Sequence, residues 1–178
     1  TSEVPVQTSI WRVRNDAGTL LSTLTVDHLS YNFPAEGEYS IELLSQSEND
    51  CTDTLARDLI VNPMIEILND DYFDDFEGAA TRWYKGGSPL GTNSWSLDEP
   101  AGTVLNHAYS GTKAWITNPA GDYSNSENSW VTGPCFSFAG VSRPMIKAQI
   151  WPFIDDPDDG ATLEYTSDGG NSWNTVGM

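Results

Sequence analysis

Hydrophobic and polar positions alternate along this chain with a period of two, in runs too short for helices and closed by turn residues. In the first third the runs cover residues 9–13, 20–26, 39–44 and 55–61. Tyr39, Ile41 and Leu43 fall on one face, which is the core side of a strand, and Gly37 supplies the turn before them. Past Pro63 the pattern changes abruptly, and residues 62–69 read as a short, stiff linker that leads into, or forms, the first strand of a second body. Further strands are predicted at 95–97, 113–117, 129–131, 135–138, 145–153 and 161–165. After the last of these, residues rich in Gly, Asp and Asn precede a second β-prone run at Trp173, the pattern of a hairpin. In that turn Asp168 is expected to accept backbone N–H groups two residues on. Gly169 and Gly170 admit positive φ, and Trp173 folds its ring over the corner.

Composition narrows the class. Seven Trp, seven Tyr and six Phe accompany 15 Gly and 10 Pro, which favours sandwiches or barrels with many turns, so the fold is expected to be all-β. Strand lengths and spacings over residues 64–178 suit an antiparallel jelly-roll sandwich. Acidic residues outnumber basic ones 26 to 8, and a formal charge of -18 repels a phosphate backbone, so nucleic acid is excluded as a partner. No run is long enough to cross a bilayer as a helix, and membrane insertion is not expected. The chain opens Thr1-Ser2-Glu3-Val4-Pro5 and closes on a hairpin strand, so it reads as a piece with strands missing at both ends. Cys51 and Cys135 fall in different bodies, which leaves an interdomain bridge, free thiols or outside partners open.

Three stretches resemble known families. Thr166-x-Asp168-x-Gly170-x-Ser172-Trp173 resembles the Asp-box, a hairpin of sialidases and many secreted β-proteins, and the resemblance implies a structural element away from any active site. A sialidase would be expected to carry several such boxes and a cluster of arginines, whereas this chain has one box and five scattered Arg. The segment Phe33-Pro34-Ala35-Glu36-Gly37-Glu38-Tyr39-Ser40-Ile41-Glu42-Leu43, with Trp11-Arg12-Val13 and Leu59-Ile60-Val61-Asn62-Pro63, resembles the PKD family of immunoglobulin-like domains, and the resemblance implies a partial immunoglobulin-like sandwich over residues 1–63. Asp16-Ala17-Gly18 stands where that family has Gly-Asp-Gly. Residues 70–178 resemble the MAM-like jelly roll, through Asp74-Asp75-Phe76-Glu77, Ser94-Trp95-Ser96-Leu97, Tyr109-Ser110-Gly111-Thr112-Lys113-Ala114-Trp115 and Trp130-Val131-Thr132-Gly133-Pro134-Cys135-Phe136. The nearest form is the bacterial one attached to M6-type metallopeptidases and to surface proteins of Bacteroidota exported by type IX secretion.

The MAM-like resemblance also implies a structural Ca²⁺ near a sheet edge. Glu77 matches the acidic residue of the Phe-Glu motif, and Asp75 and Asp122 flank strand ends where loops could converge. Asn106 stands where Asp is usual, which weakens the site or shifts it to backbone oxygens. The acidic run Asp155-Asp156-Pro157-Asp158-Asp159-Gly160 fails as an EF-hand loop, because Pro157 takes its third position and Thr166 the place of the closing Glu. Around the loop 85–93, Trp83, Tyr84 and Trp95 are the candidate residues for stacking on a sugar ring or a peptide, although burial in the sandwich is the commoner fate of indoles. His-Glu-x-x-His, Gly-x-Ser-x-Gly and phosphate-binding glycine loops are all absent from the sequence, and the two His, His28 and His107, lie in different bodies.

These readings point to a non-catalytic adhesion, recognition or spacer region of a large secreted or cell-surface bacterial protein. Carbohydrate or a surface protein is the expected partner, and the type IX machinery is expected to engage the chain during export. The alternative is an accessory, ligand-binding region of a secreted peptidase or glycosidase whose catalytic domain lies elsewhere.

Overall fold

The computed structural model describes residues 5–68, 72–78, 81–87, 93–154 and 159–177. The chain is all-β: among the described residues there is no helix, and the strands form several, mostly antiparallel, sheets of the sandwich type.

Four long strands, β1 (Val6–Asn15), β2 (Leu20–Thr25), β3 (Gly37–Ser47) and β4 (Thr52–Val61), pair antiparallel in the order β2-β1-β3-β4. β1, β3 and β4 extend runs predicted from alternation, and β2 ends one residue short of its run. The β1–β2 turn is tied by the Asn15 side chain, whose Oδ1 accepts the Thr19 N–H at 2.8 Å, with Gly18 at φ 75°. Register puts Trp11, Val13, Tyr39, Ile41, Leu43, Leu55 and Leu59 on one face, because Val13 lies opposite Ile41, Tyr39 opposite Leu59, and Leu43 opposite both Trp11 and Leu55. Part of this face is covered by the chain itself. Residues 26–36 cross it: Phe33 packs on Tyr39 at 5.1 Å from Tyr31 and 4.7 Å from Tyr39, the Tyr39 hydroxyl donates to Ala35 O at 2.8 Å, and Trp11 Nε1 donates to Val26 O at 2.9 Å. Val13 and Tyr39 are therefore buried, while Leu55, beyond the reach of this segment, stays 56% exposed. The opposite face carries the Arg12–Glu42 ion pair, with Ile10, Leu44 and Ile60 on the same side.

From Met64 onward the strands are short and come in pairs: β5 (Met64–Glu66), β6 (Tyr84–Gly87), β7 (Trp95–Asp98), β8 (Ala114–Thr117), β9 (Ser129–Thr132), β10 (Cys135–Ser137), β11 (Glu164–Tyr165) and β12 (Asn174–Thr175). β6 pairs with β9, β7 with β8 and β11 with β12, all antiparallel. β5 and β10 run parallel, which an all-antiparallel jelly roll does not anticipate. β6 was hidden in the sequence by its own Lys85-Gly86-Gly87. Gly86 is required there because a Cβ would run into the Trp130 ring. The predicted strand at 145–153 is not formed. A strand needs a neighbour about 4.8 Å away to take up its N–H and C=O groups, and among the described residues no ladder includes this segment. Met145 is 91% exposed, and the Trp151 ring meets His107 edge-on at 5.0 Å. Trp130, Trp151 and Trp173 are each about half exposed, so the expectation that the indoles fill a core fails for these three.

The accessible surface, 13441 Å², exceeds the roughly 8,500 Å² that the size scaling of compact monomers implies for this mass.

Candidate functional site

The carboxylates of Asp74, Asp75 and Glu77 accept from backbone N–H groups. Asp74 and Asp75 open a tight turn: Asp74 Oδ1 accepts the Phe76 N–H at 2.9 Å, Asp75 Oδ1 accepts the Glu77 N–H at 3.1 Å, and Phe76 sits at φ 61°. That turn aims Glu77 at the loop before β8. Its Oε1 accepts the N–H groups of Thr112 (2.8 Å) and Lys113 (2.6 Å), and its Oε2 accepts the Thr112 hydroxyl at 2.8 Å. The Lys113 N–H first, then the Thr112 hydroxyl and N–H, hold the Glu77 carboxyl below its ordinary pKa. Gly111, at φ 64°, makes the approach possible, since a Cβ would come within 2.5 Å of Glu77 Oε1.

Of the four residues proposed for calcium, three have side-chain partners within the chain. Glu77 faces N–H and O–H donors, Asn106 Oδ1 is bonded to His107 Nδ1 at 2.7 Å, and Asp122 receives Asn118 Nδ2 through its main-chain carbonyl at 2.6 Å. Among the described residues no group of three or more His, Cys, Asp or Glu side chains converges as metal ligands do. The acidic run is outside this test, because residues 155–158 lie outside the described residues.

A second carboxylate, Glu127, carries no sequence signal and does more. It accepts the Ser94 N–H (2.9 Å), the Ser94 hydroxyl (2.7 Å), the Ser124 N–H (3.2 Å) and the Ser129 hydroxyl, and so joins the starts of β7 and β9. Burial pushes its pKa up, but these donors outweigh burial and leave it below its ordinary value. Residues 33 positions apart meet here, which no local motif encodes. Asp168 plays the same part in the β11–β12 hairpin, with one correction to the expected geometry. It accepts the N–H of Ser172, four residues on rather than two, at 3.0 Å, together with the hydroxyls of Ser172 (2.6 Å) and Thr166 (2.8 Å). Those bonds, the Ser172 hydroxyl foremost, lower its pKa from 3.8 to about 2. Gly169 and Gly170 have positive φ as expected, whereas Trp173 stays 51% exposed.

The aromatic candidates separate. Trp83 and Tyr84 line a groove of about 320 Å³ together with Glu38, Thr81, Lys85, Ser96, Leu97 and Trp115. Trp95, two residues along β7 from Leu97, does not line it, and Trp115, opposite Leu97, takes its place. Trp83 is anchored from behind: its Nε1 donates to the Tyr72 hydroxyl at 3.2 Å, Tyr72 donates to Asp74 Oδ2 at 2.9 Å, Phe76 meets it edge-on at 5.7 Å, and its ring lies against Gly133. The groove straddles β3 of the long sheet and β6 to β8, across the seam that also holds the Arg82–Glu36 ion pair at 3.3 Å. Desolvation first, then the nearby charges of Glu36 and Glu38, raise the Tyr84 pKa. Trp115 Nε1 is buried in the wall with no hydrogen-bond partner among the described residues.

Cys51 and Cys135 are both free and exposed. A stretch of this chain is similar to Bacillopeptidase F of Bacillus subtilis (strain 168). The two are 28% identical over 121 residues, which is 68% of this chain and 8% of that protein. The chain thus spans less than a tenth of the length of the curated relative it matches. No family model matches, and no solved structure matches.

Proposed function

We propose that this chain is a non-catalytic recognition or spacer region of a larger secreted or cell-surface bacterial protein, PKD-like in its first body and MAM-like in its second. The supporting observation is how its best-placed carboxylates are used. Glu77, Glu127 and Asp168 each accept at least three bonds from backbone N–H groups and hydroxyls, so they act as loop anchors rather than as acids, bases or nucleophiles. Carboxylates that work in catalysis are tuned toward the working pH, whereas these three are held below their ordinary values. Export by type IX secretion belongs to the same reading and rests on the family resemblance alone.

The similarity to Bacillopeptidase F favours a second, compatible reading, in which the region is an accessory part of a peptidase whose catalytic domain lies outside these residues. Both readings predict that the purified chain hydrolyses neither peptide nor glycoside substrates. Turnover that survives repurification and scales with protein concentration would overturn both. Comparing the parent protein with and without residues 1–178 separates them: a changed peptidase specificity supports the accessory role, and lost surface attachment supports the adhesive one.

A further inference from the structure

We propose that the Lys147–Ala148 peptide bond is a processing site for a serine peptidase of Lys/Arg specificity, and that its hydrolysis frees residues 148–178 from a body that keeps β1 to β10. The inference goes beyond the recognition or spacer reading and does not depend on it. A peptidase of this class takes its substrate as an extended strand, bonded through main-chain groups on both sides of the scissile bond. A site must therefore offer backbone that is exposed and unpaired. The segment 144–150 meets both requirements. Every residue in it is exposed, Met145 to 91%, and it joins no ladder. Among the described residues its N–H and C=O groups take part in no backbone hydrogen bond.

The cation that such a peptidase seats in its acidic pocket then singles out one bond, because the chain has only eight Lys and Arg. Arg12, Arg14, Arg57 and Lys85 lie in paired strands. The Lys113 N–H is held by Glu77, and Arg82 pairs with Glu36 and precedes Trp83, whose N–H is bonded to Thr81 Oγ1. Arg143 is exposed but precedes Pro144, whose ring occupies the nitrogen of the bond to be cut. Lys147 alone joins a cation to free, extended backbone on both sides.

In the step, the peptidase's nucleophile and then water replace the Ala148 nitrogen on the Lys147 carbonyl carbon. The C–N bond breaks, one water is consumed, and the products are a Lys147 carboxylate and an Ala148 amino group. The piece set free is lightly held. β11 and β12 pair with each other and with no strand of the body, and the piece reaches the body through the Trp151–His107 ring contact and the Tyr123–Asp159 hydrogen bond at 2.7 Å. Residues 148–178 carry six acidic side chains and no Lys or Arg, while the body is also net acidic, so charge favours separation after the cut.

The test is brief digestion of the native chain, and of the parent protein, with trypsin, a Lys-specific and an Arg-specific endopeptidase, read by intact mass and N-terminal sequencing. Trypsin and the Lys-specific enzyme should make one early cut, after Lys147, and the Arg-specific enzyme none. Cleavage at every other basic residue should be at least about tenfold slower, because its backbone must first open. Gel filtration should then separate residues 148–178 from the body. Lys147→Gln and Ala148→Pro should each abolish the early cut, the second while keeping the cation. Pro144→Ala should add a cut after Arg143, since the backbone there is equally open. These exposed positions should leave the unfolding midpoint close to wild type, and circular dichroism checks each variant. Resistance at Lys147 in the native chain or in the parent protein, earlier cutting elsewhere, or no new cut in Pro144→Ala would overturn the assignment of the site. Co-elution of the two products would overturn the release.

Discussion

Gly111→Ala is the sharpest single test of how the second body is held together. Two penalties apply at this position. An L-residue at φ 64° is strained by about 1–2 kcal/mol. The added Cβ also meets Glu77 Oε1, Cδ and Cγ at 2.5, 2.6 and 2.8 Å, closer than real Cβ contacts, so the carboxylate must leave the Thr112 and Lys113 N–H groups or the loop must shift. The displaced atoms are the far end of a flexible side chain, so the added cost is that of the lost anchoring bonds, about 1 kcal/mol, for a total of roughly 2–3 kcal/mol. Gly18→Ala is the control, because Gly18 has φ 75° and nothing within 4 Å of an added Cβ, so it isolates the backbone strain. Equilibrium urea unfolding followed by Trp fluorescence and circular dichroism should place Gly111→Ala below Gly18→Ala. In the Glu77→Ala background the excess should vanish, because the clashing atoms are gone. Equal costs at the two glycines, or an excess that persists without the Glu77 side chain, would refute the idea that Glu77 occupies the space over Gly111.

Other outcomes follow from the same contacts. Glu77, Glu127 and Asp168 are depressed in the folded state, so their contribution is complete above the ordinary values of 4.5 for Glu and 3.8 for Asp and is lost as pH falls through the folded values. Unfolding midpoints should therefore decline below about pH 4.5, with the Asp168 share persisting toward pH 2; a midpoint that rises on acidification contradicts this. Asp168→Ala should release the Ser172 amide to fast hydrogen exchange while leaving β1 to β4 protected, which paired NMR spectra would read directly. Added Ca²⁺ or chelator should leave the unfolding midpoint unchanged for the described anchors, and a rise of several degrees with Ca²⁺ would show that Glu77 has a cation to serve after all. Both cysteines, being exposed, should react with a thiol reagent without denaturant, and protection of either would place it in a bridge or an interface.

Much of the fold was legible. The four long strands, their order along the chain and the inward face of Tyr39, Ile41 and Leu43 follow from a two-residue period that only one sheet geometry satisfies. The Asp168 hairpin was legible for a different reason: its partners lie within four residues, so the sequence window contains the whole structure. β6 was missed because Gly86 looks like a turn until the Trp130 ring that crosses it is known. The segment 145–153 was misread in the other direction, since β propensity describes fitness for a sheet and says nothing about whether a partner strand is at hand.

For this protein, local rules were enough to settle the all-β class, the acidic surface and the turn chemistry of single hairpins, because those depend on residues close together in the chain. Only the three-dimensional arrangement decided that Glu77 reaches across to Thr112 and Lys113, that Glu127 joins Ser94 to Ser129, and that Trp115 rather than Trp95 lines a groove with Trp83. Such contacts depend on which strands lie side by side, and pairing at a separation of thirty or more residues is chosen by packing of the whole molecule, of which no short stretch holds a record.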